Sequence, residues 1–280
     1  MQPSSEVSAP RFRFGRNWAG YVRTIDAEAI AEARQSLATA LGTGDLSDRT
    51  FLDIGSGSGL FSLAARQMGA IVSSFDYDED SVACTAGLRE KYCPGDSGWT
   101  VQRGSVLDKG FLGTLGRFDV VYSWGVLHHT GAMWEGIQNA AALVNDAGML
   151  FIAIYNDQGL WSRVWLVIKR IYNKLPAWLR VPYVIAITLP LELRSLAYSL
   201  LTLQPMRYVR GWTHYKSARG MNKWHDMVDW VGGLPFEVAK PEQVIFFLLD
   251  RGFELKGLKT WAGATACNEF VVRYAARTSR

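Results

Sequence analysis

The stretch "GMNKWHDMVDWVGG", Gly220 to Gly233, sets His225 next to Asp226 and four residues before Asp229, between Trp224 and Trp230. On a helix, that spacing puts His225 and Asp229 on one face, where the carboxylate can orient the imidazole and strengthen it as a general base. The bland alternative is a surface His–Asp pair on a helix closed by Gly232 and Gly233, with the tryptophans packed inside. His128 is the rival base: it follows an apolar run and is expected to face a substrate, with its neighbour His129 structural. His214 has no carboxylate near it in sequence. A second constellation is "FLDIGSGSGLFSLAARQMGAIVSSFD", in which Asp53 precedes a loop carrying Gly55, Gly57 and Gly59 and a later apolar run ends at Asp76. Such glycines permit a tight turn and let a ligand approach backbone amides, and an acid about 20 residues further on is placed to accept from a ribose diol. The G-x-G-x-G spacing is not the G-x-G-x-x-G of dinucleotide sites, so the loop has no clear reason to cradle a pyrophosphate. A nucleotide-type site is implied.

These residues need a scaffold that brings strand ends together. An amphipathic helix is expected from Asp26 to Leu41, with Ile30, Ala33 and Leu37 at helical spacing. Then short β-like runs alternate with helical patterns: "TFLDIG", Leu60 to Met68, "AIVSSFD", Ser81 to Lys91, "WTVQRGS", "FDVVYSW", Trp134 to Leu143 and "GMLFIAIYN". Alternation of this kind predicts parallel strands joined by crossover helices, a doubly wound α/β sheet. From about Asp157 to Pro235 the pattern turns helical and aromatic, and only afterwards do "FELKGLKTWAG" and "CNEFVVRYA" return as β segments around a Gly-containing turn. The expected organisation is an arm and helix over 1–45, a cofactor-binding core over 46–156, a helical lid insertion over 157–235 set over the end of the sheet, and a C-terminal helix with the last core strands over 236–280.

Composition narrows the class. With 49% hydrophobic and 20% charged residues, the 280-residue chain can bury a sizeable core. A net charge of +4 is too mild to demand a polyanion, which makes nucleic acid an unfavoured partner despite the basic runs "RFRFGR" and "RYAARTSR". Three cysteines, Cys84, Cys93 and Cys267, give neither an even count nor metal-ligand spacing, so reduced thiols in a cytoplasm and no metal are expected. The N-terminal residues lack the apolar run of a secretory signal. The apolar stretch 181–205 is broken by Pro182 and Pro190 and carries Glu192 and Arg194, which argues against a spanning helix. A buried lid helix or an interfacial segment touching a membrane are the two readings left for it.

The strand, glycine loop, helix, strand and acid together resemble the first motifs of class I S-adenosylmethionine-dependent methyltransferases. "GSVLD", ending at Asp108, "FDVVYSWGVLHH" and "LVNDAGMLFIAIYN" extend the likeness to the small-molecule branch related to ubiquinone-biosynthesis O-methyltransferases, over about residues 50 to 155. In the last of these, the turn before the fifth strand reads Asp146-Ala147-Gly148. The resemblance implies a Rossmann-like, mostly parallel seven-stranded sheet with an antiparallel C-terminal strand. It also implies S-adenosyl-L-methionine as cofactor, with Asp53 and the Gly55, Ser56, Gly57 and Gly59 backbone at the methionine part, Asp76 and Tyr77 at the ribose, Asp108 beside the adenine, and Trp124 near the sulfonium or adenine face. Trp124 reads equally as an ordinary core aromatic. The absence of N-P-P-Y after the fourth strand puts methylation of nucleobase amines in doubt. The expected activity is methylation of a small molecule, at the hydroxyl of an aromatic, quinol-like or lipid-like acceptor, with His225, His128 and Asp229 as the catalytic candidates. The alternatives are N- or C-methylation of a metabolite or glycan precursor, and a non-catalytic cofactor- or RNA-binding module.

Overall fold

The structure, a computed structural model, describes residues 15, 18, 22, 25–213, 223–261 and 266–275. His214 lies outside them, and so does the side chain of His225. The chain forms two compact units, one of Phe14–Gly159 with Glu237–Arg280, the other containing Leu160–Phe236.

The first unit is the sheet. After α1 (Ala27–Leu41) come β1 (Thr50–Ile54), α2 (Leu60–Gln67), β2 (Ile71–Asp76), α3 (Glu79–Tyr92), β3 (Trp99–Arg103), α4 (Lys109–Gly113), β4 (Phe118–Trp124), α5 (Met133–Ala142) and β5 (Val144–Tyr155). Seven strands stand in the order β3-β2-β1-β4-β5-β7-β6, where β6 is Phe253–Lys259 and β7 Cys267–Tyr274. Strands β1 to β5 pair in parallel, and β7 enters antiparallel between β5 and β6. The strand order reverses between β1 and β4, so the loops leaving β1 and β4 open on the crevice where such sheets bind ligands.

Side-chain alternation along the strands feeds two cores, one on each face. Phe51, Val72 and Val120 pack with Leu37 of α1 and Leu63 of α2, while Leu52, Ile54, Val121 and Ile152 pack with Ile137 of α5 and Leu248. Leu248 belongs to the helix Pro241–Leu249 that precedes β6. The turn expected at Asp146-Ala147-Gly148 is instead a bulge inside the long β5: the register passes from Phe118↔Val144 to Val120↔Met149. Ala147 takes a positive φ of 60° there, so the chain makes its excursion without leaving the strand.

The second unit is helical: α6 (Leu160–Lys174), α7 (Ala177–Leu201), α8 (Pro205–Thr213) and α9 (Lys223–Gly232). Its small core is Tyr172, Val184 and Val231, flanked by Trp165, Tyr183, Trp224 and Val228. Contrary to the sequence expectation, Pro182 and Pro190 do not interrupt α7. Both prolines are exposed, so the carbonyls that lose their intrahelical donors sit on the outer side of the helix, where the cost of a missing bond is smallest. Helix α7 is long and apolar enough, by length and composition, to cross a membrane.

Candidate active site

The glycine loop grows directly out of β1. Gly55, Gly57 and Gly59 all have positive φ, at 76°, 55° and 80°, a region where a side chain is strained. Side chains would also have no room: a Cβ at Gly55 would lie 2.5 Å from Val126, and one at Gly57 would lie 3.0 Å from the ring of Trp18. The loop is laced to the end of β2, with the amides of Gly55 and Ser56 donating to the Phe75 carbonyl at 2.8 and 3.2 Å and the Gly57 amide donating to Asp76 Oδ2 at 3.0 Å. Ser56 Oγ meets Thr85 Oγ1 at 2.9 Å, and Thr85 donates onward to the Gly57 carbonyl at 3.2 Å, which ties the loop to α3.

Two acids carry the electrostatics. Asp76 also accepts from the Asp78 amide at 2.9 Å, and burial pushes its carboxyl up to about 6 against those hydrogen bonds. Asp53 is buried at 2% exposure, accepts from Ser62 Oγ at 2.5 Å and is pushed up to about 7 by burial, with the Ser62 bond opposing and the charge of Asp76 adding. Ser62 in turn meets Ser74 at 2.7 Å, and Trp99 Nε1 donates to Ser74 at 2.8 Å. This buried chain fixes Asp53 from below.

The remaining candidates fall around the same strand ends. Asp108 is exposed and caps α4, its Oδ1 accepting from the Phe111 amide at 3.1 Å. Tyr77 is exposed with the Arg103 guanidinium 6.0 Å from its ring centre. Trp124, 39% exposed at the tip of β4, donates from Nε1 to Glu269 Oε1 at 3.4 Å, so it is an edge residue and not a core aromatic. His128 is fully buried, its ring 3.8 Å from that of Tyr155 and its Nδ1 accepting from the Tyr155 amide at 3.4 Å, while His129 is only partly buried. The 3-10 turn Leu127–His129 holds His128 against Tyr155 at the end of β5. His225 and Asp229 lie on one helix, as the spacing predicted, but the charge of Asp229 acts on Lys169 and Tyr172 of α6.

Sequence reading missed Trp18, whose indole covers Gly57, and Ser62 and Ser74, which support Asp53. A lone Trp in an N-terminal arm and two serines in apolar runs carry no signal of their own. The residues fit a nucleoside cofactor. Loop amides lie at the end of β1, the left-handed glycines leave no space for side chains, and Asp76 uses its oxygens on two amides while keeping acceptor capacity for hydroxyl donors.

Fold and site together define an α/β protein of the doubly wound kind whose glycine loop stands at the β1–β4 switch point. The description of a methyltransferase domain matches residues 22–225. The chain therefore belongs to the methyltransferase-domain family. A curated relative, the ubiquinone biosynthesis O-methyltransferase of Caulobacter vibrioides, is 29% identical over 113 residues, which is 38% of this chain and 41% of the relative. The match thus spans less than half of that relative's length. Among solved structures, the magnesium protoporphyrin IX methyltransferase of Synechocystis PCC 6803 with bound S-adenosylhomocysteine aligns over 91% of this chain and 86% of its own, at 16% identity and a TM-score of 0.52. An N-methyltransferase from Bradyrhizobium japonicum WM9 aligns over 94% and 99%, at 14% identity and a TM-score of 0.51. At these identities the likeness is one of fold.

Proposed function

We propose that this chain methylates a hydroxyl of a small-molecule acceptor that is aromatic, quinol-like or lipid-like. The observation that carries the reading is the glycine loop closed on Asp76 beside the buried Asp53, two carboxyls that no cationic side chain pairs with among the described residues. An acidic surround of that kind favours a cationic sulfonium cofactor over a pyrophosphate. The curated relative is named as an O-methyltransferase, which supports oxygen as the methylated atom.

S-adenosylmethionine supplies a methyl already activated for displacement, so the protein must bind, orient and deprotonate. Asp76 accepts from the ribose hydroxyls, with Tyr77 beside it. The Gly55–Gly59 amides and Asp53 serve the methionine end, Asp108 the adenine region, and Trp124 presents an aromatic edge at the tip of β4. His225, one helical turn from Asp229, is the proposed base for the acceptor hydroxyl; the buried His128 is reserved for holding the turn after β4. His225→Ala is expected to lower the rate of methyl transfer by about 10² to 10⁴ while leaving cofactor affinity unchanged. Loss of less than about threefold would remove it from the chemistry.

Incubation with methyl-labelled cofactor and a panel of phenols, quinols and amines, read by NMR of the products, tests the acceptor atom. A methoxy signal is expected. A methylated nitrogen or carbon overturns the assignment to oxygen, and tighter binding of NAD than of S-adenosylhomocysteine overturns the cofactor.

A further inference from the structure

Helix α7 is built inside out. Its inward positions include Val184 but also Thr188 and Ser199, both buried, whose hydroxyls donate back to the carbonyls of Val184 and Ser195 at 2.8 and 3.0 Å. Its outward stripe is Trp178, Val181, Ile185, Leu189, Leu193 and Leu200, all exposed and repeating at helical spacing. A helix whose only partner is water is expected to show the opposite arrangement. Its neighbours repeat it: α6 exposes Leu160, Val164, Val167 and Ile171, and α8 exposes Met206, Val209 and Trp212. Scattered apolar residues on a surface need no explanation, but apolar stripes repeated on three consecutive helices mark surface that binds something.

Charge says what that partner is. Residues 160–213 contain eight basic residues and one acid, Glu192. Glu192 is bonded to Lys223 at 2.7 Å and to Trp212 Nε1 at 3.0 Å. Six of the basic residues, Arg163, Arg170, Lys174, Arg194, Arg207 and Arg210, are exposed. Exposed tryptophans stand on each helix, with Trp161 at 65% and Trp178 at 74% exposure. Apolar stripes edged by arginine and tryptophan suit the boundary between headgroups and acyl chains, and the lack of an open acid suits an anionic leaflet.

We infer that the helical unit α6–α8 is a monotopic docking surface for an anionic lipid membrane, lying in the headgroup layer without crossing it. At 25 residues α7 is about 37 Å long, enough to span. Lying flat is favoured because Arg194 is exposed along α7, α6 and α8 carry the same stripes on much shorter helices, and Val184 of α7 forms the unit's core with Tyr172 and Val231. This surface is independent of which atom the enzyme methylates.

Vesicle flotation of the full chain tests it, with phosphatidylcholine alone and with about one third phosphatidylglycerol. Wild-type protein is expected to float with the anionic vesicles, at least about tenfold more tightly than with the neutral ones, and the preference should fade at about 1 M salt. Brominated lipids should quench its tryptophan fluorescence. The triple variant Trp178→Ser, Ile185→Ser, Leu189→Ser should weaken binding about 10- to 100-fold, and Arg207→Glu with Arg210→Glu should abolish the anionic preference, both with unchanged affinity for S-adenosylhomocysteine. Wild-type protein that floats with neither vesicle, or is unquenched in brominated lipid, overturns the proposal. So does a dimer seen by light scattering that the triple variant dissolves while no vesicle is bound, since the stripes would then pair two copies of the chain.

Discussion

Asp76 shows how one side chain can serve fold and ligand together. Its Oδ2 closes the glycine loop through the Gly57 amide, its Oδ1 starts the turn to α3 through Asp78, and the same carboxylate is the proposed ribose acceptor. Replacing it with alanine is expected to weaken S-adenosylhomocysteine by roughly 1.5–3 kcal/mol in calorimetry, the usual worth of hydrogen bonds to a charged partner. The acids also give a pH signature with two opposite signs. Burial raises Asp53 to about 7 and Asp76 to about 6 from 3.8, so the folded state holds protons that the unfolded state has released. The stability these groups contribute is therefore complete below 3.8 and is lost as pH rises through 6 to 7. Affinity for the cationic S-adenosylmethionine should move the other way, rising as the carboxyls ionise and levelling above them, and Asp76→Asn should flatten the lower part of that rise. Titration calorimetry across the same window decides this, and a falling affinity would exclude the acids from the sulfonium's surroundings.

The helices of the second unit show how one element is held by side chains of another. Lys169 of α6 is buried, donates from Nζ to the Trp230 carbonyl and lies 4.8 Å from the Phe236 ring, while Asn173 one turn on donates to the Gly232 carbonyl at 2.7 Å. Together they satisfy terminal carbonyls of α9, where a cation is also favoured by the helix dipole. Burial outweighs the nearby charge of Asp229 and pulls the lysine down from 10.5 to about 7. Between those values the unfolded chain holds the extra proton, so raising the pH from 7 towards 10.5 should relieve the penalty and stabilise the unit. Lys169→Met should remove that rise from melting curves followed by circular dichroism; an unchanged slope would place the titration elsewhere. At this scale the sequence was legible where period and punctuation agree, as for α9, which ends at Gly232 beside Gly233, and for the β1–loop–α2–β2 series. It was misleading where a residue's usual habit is overridden by packing. A lysine in an amphipathic helix reads as surface, and a proline reads as a break, yet Lys169 is interior and Pro182 and Pro190 sit within a continuous α7. The burial of His128 and the cover of Trp18 over Gly57 depend on long-range neighbours that no local pattern announces.

For the whole molecule, the two compact units divide the chemistry between them. Every residue assigned to the cofactor, from Asp53 to Trp124, belongs to the sheet unit, which has its own two-faced core; the exposed apolar stripes and six exposed basic residues of α6 to α8 belong to the helical unit, whose buried core among the described residues is Tyr172, Val184 and Val231. A ligand stabilises the part of a protein whose folding creates its site, by about 2.7 kcal/mol at a concentration of roughly 100 times its dissociation constant. Scanning calorimetry should therefore resolve a weaker, earlier transition for the helical unit and a later one for the sheet unit. S-adenosylhomocysteine is expected to raise the later transition and leave the earlier one in place, whereas anionic vesicles should raise the earlier one, since they meet α6 to α8. The small core of the helical unit makes its transition the more sensitive to vesicles, because apolar surface that water now faces would be covered. A single transition shifted equally by both ligands would mean that the units unfold as one body, and the division of labour drawn from their separate cores would fail.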